Sequence, residues 1–443
     1  MKLWDKGIKV NADIERFTVG RDREMDIFLA PFDVLGTLAH ITMLESIGLL
    51  ETGELPPLRR ELVSIYNDIA AGNFSIMEGV EDVHSQVEML LTEKLGDLGK
   101  KVHSGRSRND QVLVDLKMYI RHEIEEISGH VKEFFDTLIL QSEKYKNVLL
   151  PGYTHLQVAM PSSFGLWFGA YAESLTDDMI LLNAAWQVAN KNPLGSAAGY
   201  GSSFPLNRTM TTGLLGFEDL SYNVVYAQMG RGKTEKTLAY AISSLAATLS
   251  RFAMDACLYM CQNFAFITLP DELTTGSSIM PHKKNPDVFE LLRGKANLLQ
   301  SLPADITGML INLPSGYFRE MQLLKEVLFP AIAELKDILG MASYMASCIK
   351  VNNDILQDDK YKYLFSVETL NNKVLSGTPF RDAYREVGES IKRNEYTPDR
   401  NINYTHEGSI GHLCNDKITA RMDKIIGSFG FDYVNGKLKK LLI

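Results

Sequence analysis

Residues 112–140 read VLVDLKMYIRHEIEEISGHVKEFFDTLIL, with apolar side chains at Leu113, Leu116, Ile120, Ile124, Ile127, Val131, Phe134 and Leu138. The steps between them are three or four residues, the period of one helical face and not the alternation of a strand. The stretch is therefore expected to form a single amphipathic helix of roughly ten turns, against the usual three or four. A helix that long needs apolar partners along its whole length, because propensity alone does not hold such a stripe in water.

The same period recurs further along the chain, at Leu238, Ile242, Leu245, Leu249, Phe252, Ala256 and Tyr259, and 161–190, 286–311 and 323–349 are helix-like with less regular stripes. Near-heptad spacing implies almost parallel packing, and strand alternation is scarce. The expected fold class is all-α, with a central bundle of long helices. Its apolar stripes exceed what one small bundle can bury, so self-association is expected. At 443 residues the chain also outgrows a single core. Glycines and polar residues around 96–110 and a polar run at 352–362 place the boundaries. We expect an N-terminal helical domain over 1–104, the bundle over 105–357 and a small C-terminal helical domain over 358–443.

Hydrophobic residues make up 45% of the chain and charged residues 23%, ordinary for a folded protein and far from a disordered composition. The net charge of -9 is spread without blocks, which leaves no footprint for nucleic acid or an anionic membrane, so an anionic ligand must be held by local cations. The start, MKLWDKGIKV, lacks the pattern of a secretory signal, and no stretch approaches the roughly 18 to 20 apolar residues that span a bilayer. A cytoplasmic location is expected. Four cysteines are too few for a disulfide framework, and Cys257 and Cys261, four apart, have no His or acid at ligand spacing. They read as packing thiols, and neither a metal nor an organic cofactor is expected.

Three loop-like segments beside long helices concentrate polar residues. His103 to Asp110 (HSGRSRND) sets Arg106, Arg108 and Asn109 before the longest helix. Such a start is either a capping sequence or an anion site, since free backbone N–H groups and the helix dipole favour a carboxylate there. Pro151 to Gln157 (PGYTHLQ) sets Thr154 and His155 after a glycine turn; imidazole titrates in the range suited to proton transfer, although a lone His more often has a structural role. Thr274 to Asp287 (TTGSSIMPHKKNPD) gathers hydroxyls, Ser277 among them, with Lys283 and Asn285. Asn285-Pro286-Asp287 reads as N-cap, first helical position and first-turn acid, with Glu290 one turn on.

GSSIMPHKKNPD closely resembles the signature loop of the fumarase/aspartase superfamily. HSGRSRNDQV at 103–112, PGYTHLQ and TPFRDA at 378–383 extend the similarity over nearly the whole chain, towards the argininosuccinate lyase branch. The resemblance implies a three-domain helical fold and a homotetramer whose active sites each draw on three subunits. It also implies a small-molecule substrate, argininosuccinate, split into arginine and fumarate. Lys283 and Asn285 match the pair that stabilises the dianionic aci-carboxylate formed when a C–H beside a carboxylate is deprotonated. Ser277 matches the base, His155 the residue serving the leaving nitrogen, and Glu290 the acid orienting that histidine; Ser277 and His155 have been assigned the proton-abstracting role in either order. Arg108, Asn109 and Thr154 match contacts to the succinyl part, and Tyr317, Gln322 and Lys325 contacts to the arginine-derived part.

The chain departs from the family at the N-terminal LWDKGIKV, and around Thr18 to Asp22, where a substrate-contacting Ser has no counterpart. It departs again in NPLGSAAGYGSSFP at 192–205, and at Arg231-Gly232-Lys233, where relatives carry an acidic Asp-Arg-Asp stretch. The last exchange is expected to bear on which amine is accepted.

Overall fold

The computed structural model describes residues 11–443, so the LWDKGIKV departure lies outside the described residues. Helices α1 (Ala12–Val19), α2 (Asp22–Asp26), α3 (Ala30–Ser46), α4 (Leu55–Ala70), α5 (Val83–Leu95) and α6 (Asp97–Lys100) build the N-terminal part. The long stripe becomes α7 (Arg108–Lys144), 37 residues long, with all eight apolar positions buried. It opens on a capping box, Ser107 and Asp110 satisfying each other's backbone N–H groups. Downstream come α8 (Phe164–Ala189), the short α9 (Arg208–Leu214) and α10 (Val224–Met229), and α11 (Lys233–Met260), where Leu238 to Ala256 of the second stripe are buried. Next are α12 (Asp287–Leu299), α13 (Leu302–Leu310) and α14 (Leu323–Cys348); α7 packs on α8 and α14, and α11 on α8 and α12. Helices α15 (Ser366–Leu375), α16 (Phe380–Lys392), α17 (Asn415–Gly427) and α18 (Phe431–Leu441) complete the chain. One core runs from Met25 to Leu441, and Leu370, Ala383, Val387 and Tyr396 form a small separate cluster. The all-α bundle is as expected.

Four details correct the sequence reading. PGYTHLQ is not a loop but the end of an antiparallel hairpin, β1 (Leu149–Thr154) and β2 (Gln157–Ser163), closed by His155 and Leu156. Their φ values of 53° and 58° are those of a two-residue primed turn, which matches the right-handed strand twist. Gly152 stands at the register shift, where a Cβ would meet the Met160 carbonyl at 2.8 Å. Second, the helical run after Pro286 breaks between Leu299 and Leu302, because Pro303 lacks an N–H and can stand only in the first turn of a new helix. Third, α12 begins at Asp287 with no side-chain cap; the Asn285 amide instead turns back across the preceding loop. Fourth, Asp13–Ser46 does contain an 18-residue window apolar enough by composition to cross a membrane, but 78% of that window is buried inside the fold, where α3 packs on α4 and α7.

Candidate functional site

The start of α7, α2, the turn before α5, the start of α11 and the segment 317–325 converge on a cavity of about 140 Å³. Arg108, Asn109, Tyr317, Gln322 and Lys325 all line it, so these substrate-contact candidates, up to 217 residues apart in sequence, meet in one place. Around them stand Asp22, Asp26, Glu81 and Asp82, with Arg231 and Arg319. The Ser107/Asp110 box supports the capping reading of the helix start, while Arg108 and Asn109 in its first turn face the cavity. Arg108 pairs with Glu81 at 3.2 Å and with Asp82. Gln322 donates from Nε2 to the carbonyls of Thr18 (3.2 Å) and Val19 (3.0 Å), which docks the departing 18–22 segment against the site.

Lys325 is almost fully buried and pairs with Asp22 at 2.5 Å and with Asp26. Burial alone would lower the ammonium's pKa, but the two carboxylates outweigh it and the net direction is upward. Burial likewise opposes ionisation of Asp26, yet Lys325 and His84 draw its pKa down. Beneath the cavity, His84 Nδ1 lies 2.7 Å from Asp33 and 3.5 Å from Asp115. Burial would favour neutral imidazole, but Asp33, Asp115 and Asp26 outweigh it and raise the pKa of His84. Asp33, His84 and Asp115 are also the described residues whose donor atoms, within 4.8 Å of one another, could hold a metal. His84 Nδ1 is engaged with both carboxylates and the buried Arg106 is a further cation facing Asp33 and Asp115, so the cluster fits a buried network of ion pairs.

The other candidates lie elsewhere on the chain. Thr154 and His155 are exposed at the hairpin tip, whose base is fixed by Tyr153 packing on Phe264 and Phe266. A left-handed backbone at two non-glycine residues costs on the order of 1 kcal/mol each and is typically retained at functional positions. The 274–287 loop is pinched at its neck by Thr275 and Asn285 and presents Ser277, half-buried, with Lys283 exposed. The Ser277 hydroxyl accepts the backbone N–H of Met280 at 3.2 Å. Glu290 is exposed in the first turn of α12. Among the described residues of one chain, no hydrogen bond or ion pair joins His155 to Glu290, and neither lines the cavity.

Sequence reasoning did not find Arg231 as a cavity residue, nor the buried Asp33, His84 and Asp115. These three come from three helices and have no common spacing. Arg231 was visible only as a departure. In the fold it is buried at the cavity wall, whereas Lys233 is exposed outside it.

Comparisons with known proteins identify what the chain resembles. The model of a family described as lyase matches residues 42–300. The chain is 63% identical over 441 residues to the argininosuccinate lyase of Bacteroides thetaiotaomicron, covering 100% of this chain and 99% of that one. It is 36% identical over 394 residues to the argininosuccinate lyase of Thermotoga neapolitana, covering 89% and 99%. Among solved structures, an EDDS lyase in complex with formate superposes with a TM-score of 0.78 at 20% identity, covering 98% and 95% of the two chains. A class II fumarase from Schistosoma mansoni gives 0.70 at 15% identity, covering 95% and 97%. The structural likenesses bear on the fold, while the sequence identities carry the finer assignment: the chain belongs to the lyase family and, within it, to the argininosuccinate lyases.

Proposed function

We propose that the protein splits argininosuccinate into arginine and fumarate by elimination. The observation that carries this reading is the convergence of Arg108, Asn109, Tyr317, Gln322 and Lys325 on one charged cavity, in a chain 63% identical to argininosuccinate lyases along its length. Ser277 removes the proton beside the carboxylate, Lys283 and Asn285 stabilise the resulting dianion, and His155, oriented by Glu290, protonates the leaving nitrogen. Thr154 joins Arg108 and Asn109 on the succinyl part. A serine hydroxyl becomes a competent base only with solvent excluded, so the 274–287 loop closes over the bound substrate.

The working unit in this reading is a homotetramer, each site drawing on three subunits. Two features support it: neither the hairpin tip nor the 274–287 loop contributes to the lining of the cavity in its own chain, and Leu140, Ile180, Leu181, Leu291, Leu298 and Met341 stand exposed along the bundle helices. The four cysteines are unpaired thiols, which suits a cytoplasmic setting. The reading is tested by giving the purified protein argininosuccinate, adenylosuccinate, malate and aspartate separately and following fumarate by ultraviolet absorbance. Fumarate should appear rapidly from argininosuccinate alone; release from another substrate instead would overturn the assignment.

A further inference from the structure

Charge bookkeeping in the cavity singles out one residue. Of the four Arg and Lys side chains lining it, Lys325 is neutralised by Asp22 and Asp26, Arg108 by Glu81 and Asp82, and Arg319 by Glu81 at 3.0 Å. Arg231 takes part in none of the ion pairs among the described residues, although it is 4% exposed. Its Nη2 donates to the Met321 carbonyl at 3.1 Å, its guanidinium lies 5.6 Å from the centre of the Tyr317 ring, and its buried Nε–H has no acceptor. Asp22 and Glu235 feel its charge, but Asp22 is committed to Lys325 and Glu235 accepts the Gly232 N–H. A buried guanidinium with no carboxylate in ion-pair contact and with an unused donor is costly unless a ligand completes it, and the ligand that does so best is a carboxylate.

We propose that Arg231 receives the α-carboxylate of the amino-acid product, and so sets the enzyme's preference for an α-amino acid over a simple amine. This rests on the function proposed above. The location selects this carboxylate over the succinyl pair, because Arg231 is bonded to the 317–325 segment that carries Tyr317, Gln322 and Lys325. The neighbouring Gln322 spends its amide hydrogens on Thr18 and Val19 and keeps Oε1 as an acceptor, which suits the adjoining α-ammonium group.

The test measures inhibition of argininosuccinate cleavage by three compounds: arginine, agmatine, which is arginine without its α-carboxylate, and fumarate. In the wild type arginine should inhibit more strongly than agmatine. Arg231→Gln should weaken arginine about 10- to 100-fold, the usual loss for one charge-assisted contact, and leave agmatine and fumarate within about twofold. Arg231→Lys keeps a cation able to reach the Met321 carbonyl and should recover part of the arginine affinity, so the question stays answerable if the Gln variant folds poorly. Equal weakening of arginine and agmatine, an effect confined to fumarate, or equal inhibition by arginine and agmatine in the wild type would each overturn the assignment. Failure of the proposed function is distinct from all of these, because the wild type would then release no fumarate from argininosuccinate.

Discussion

Thr275 and Asn285 close the neck of the 274–287 loop by pairing backbone to backbone, Asn285 N–H donating to the Thr275 carbonyl at 2.8 Å and Thr275 N–H returning the bond at 3.3 Å. The Thr275 hydroxyl also donates to Asp287 and accepts from the Asn285 amide at 3.4 Å. Ser277 and Lys283 therefore ride on a segment whose ends are fixed and whose crown is exposed, as expected of a loop that closes on its substrate. Thr275→Val removes the hydroxyl contacts and leaves the backbone pair. It should lower kcat by about 3- to 10-fold, the loss of a hydrogen bond or two, with the elution volume on size-exclusion chromatography unchanged from the wild type. Unchanged turnover would mean that the neck's side chains do not position Ser277.

Glu290→Gln keeps shape and removes charge. With argininosuccinate as substrate it should lower kcat by about 10² or more while KM stays within several-fold, in line with general acid–base contributions. Ser277→Ala should be at least as damaging yet still bind substrate, so that the intact complex can be trapped. Near-wild-type turnover of the Glu290 variant would return that side chain to a first-turn helix acid, favoured by the dipole.

Asn109 lines the cavity whereas His155 tips the hairpin. If sites are shared, Asn109→Ala and His155→Ala subunits, each inactive alone, should regain part of the activity when dissociated and reassembled together. A mixture as inactive as its parents would sink the shared-site arrangement.

The Asp33, His84 and Asp115 cluster makes metal removal an informative test. With His84 engaged by Asp33 and Asp115 and Arg106 supplying further positive charge, activity and melting temperature should both survive exhaustive EDTA treatment. A loss restored by one particular divalent ion would convert the ion network into a metal site.

Asp110 caps α7 and also holds the 192–205 loop, accepting N–H groups of Ser107 (2.8 Å), Gly195 and Ala197 (both 2.9 Å). Burial raises its pKa to about 6 against 3.8 for the free group, the three backbone donors only partly offsetting it. The folded state thus favours the protonated carboxyl, so this contribution is complete at acid pH, below the unfolded value, and fades as pH rises through about 6. Asp110→Asn removes the titration. The stability of the wild type relative to this variant, from urea midpoints, should fall by on the order of 1–1.5 kcal/mol between pH 5 and pH 8. A difference independent of pH, or one that grows with pH, would contradict the shift.

Local pattern was enough to specify the bundle. The stripes from Leu113 to Leu138 and from Leu238 to Ala256 are buried along α7 and α11, because helical period and apolar character are properties of neighbouring residues. The polar segments were equally legible as segments. What they become was not: whether PGYTHLQ pairs as strands depends on Tyr153 finding Phe264 and Phe266, residues more than a hundred positions away. Asn285 gives up its expected cap for contacts across the loop with Thr275 and Gly276. Asp33, His84 and Asp115 meet only because α3, α5 and α7 pack together, and Arg231 makes no ion-pair contact among the described residues while Lys325 pairs with Asp22 and Asp26. Sequence by itself determined the helices, their buried faces and the residue types available for chemistry. Tertiary structure alone decided which of those charges neutralise one another and which is left facing the cavity, since burial and ion pairing depend on distances that the order of residues does not contain.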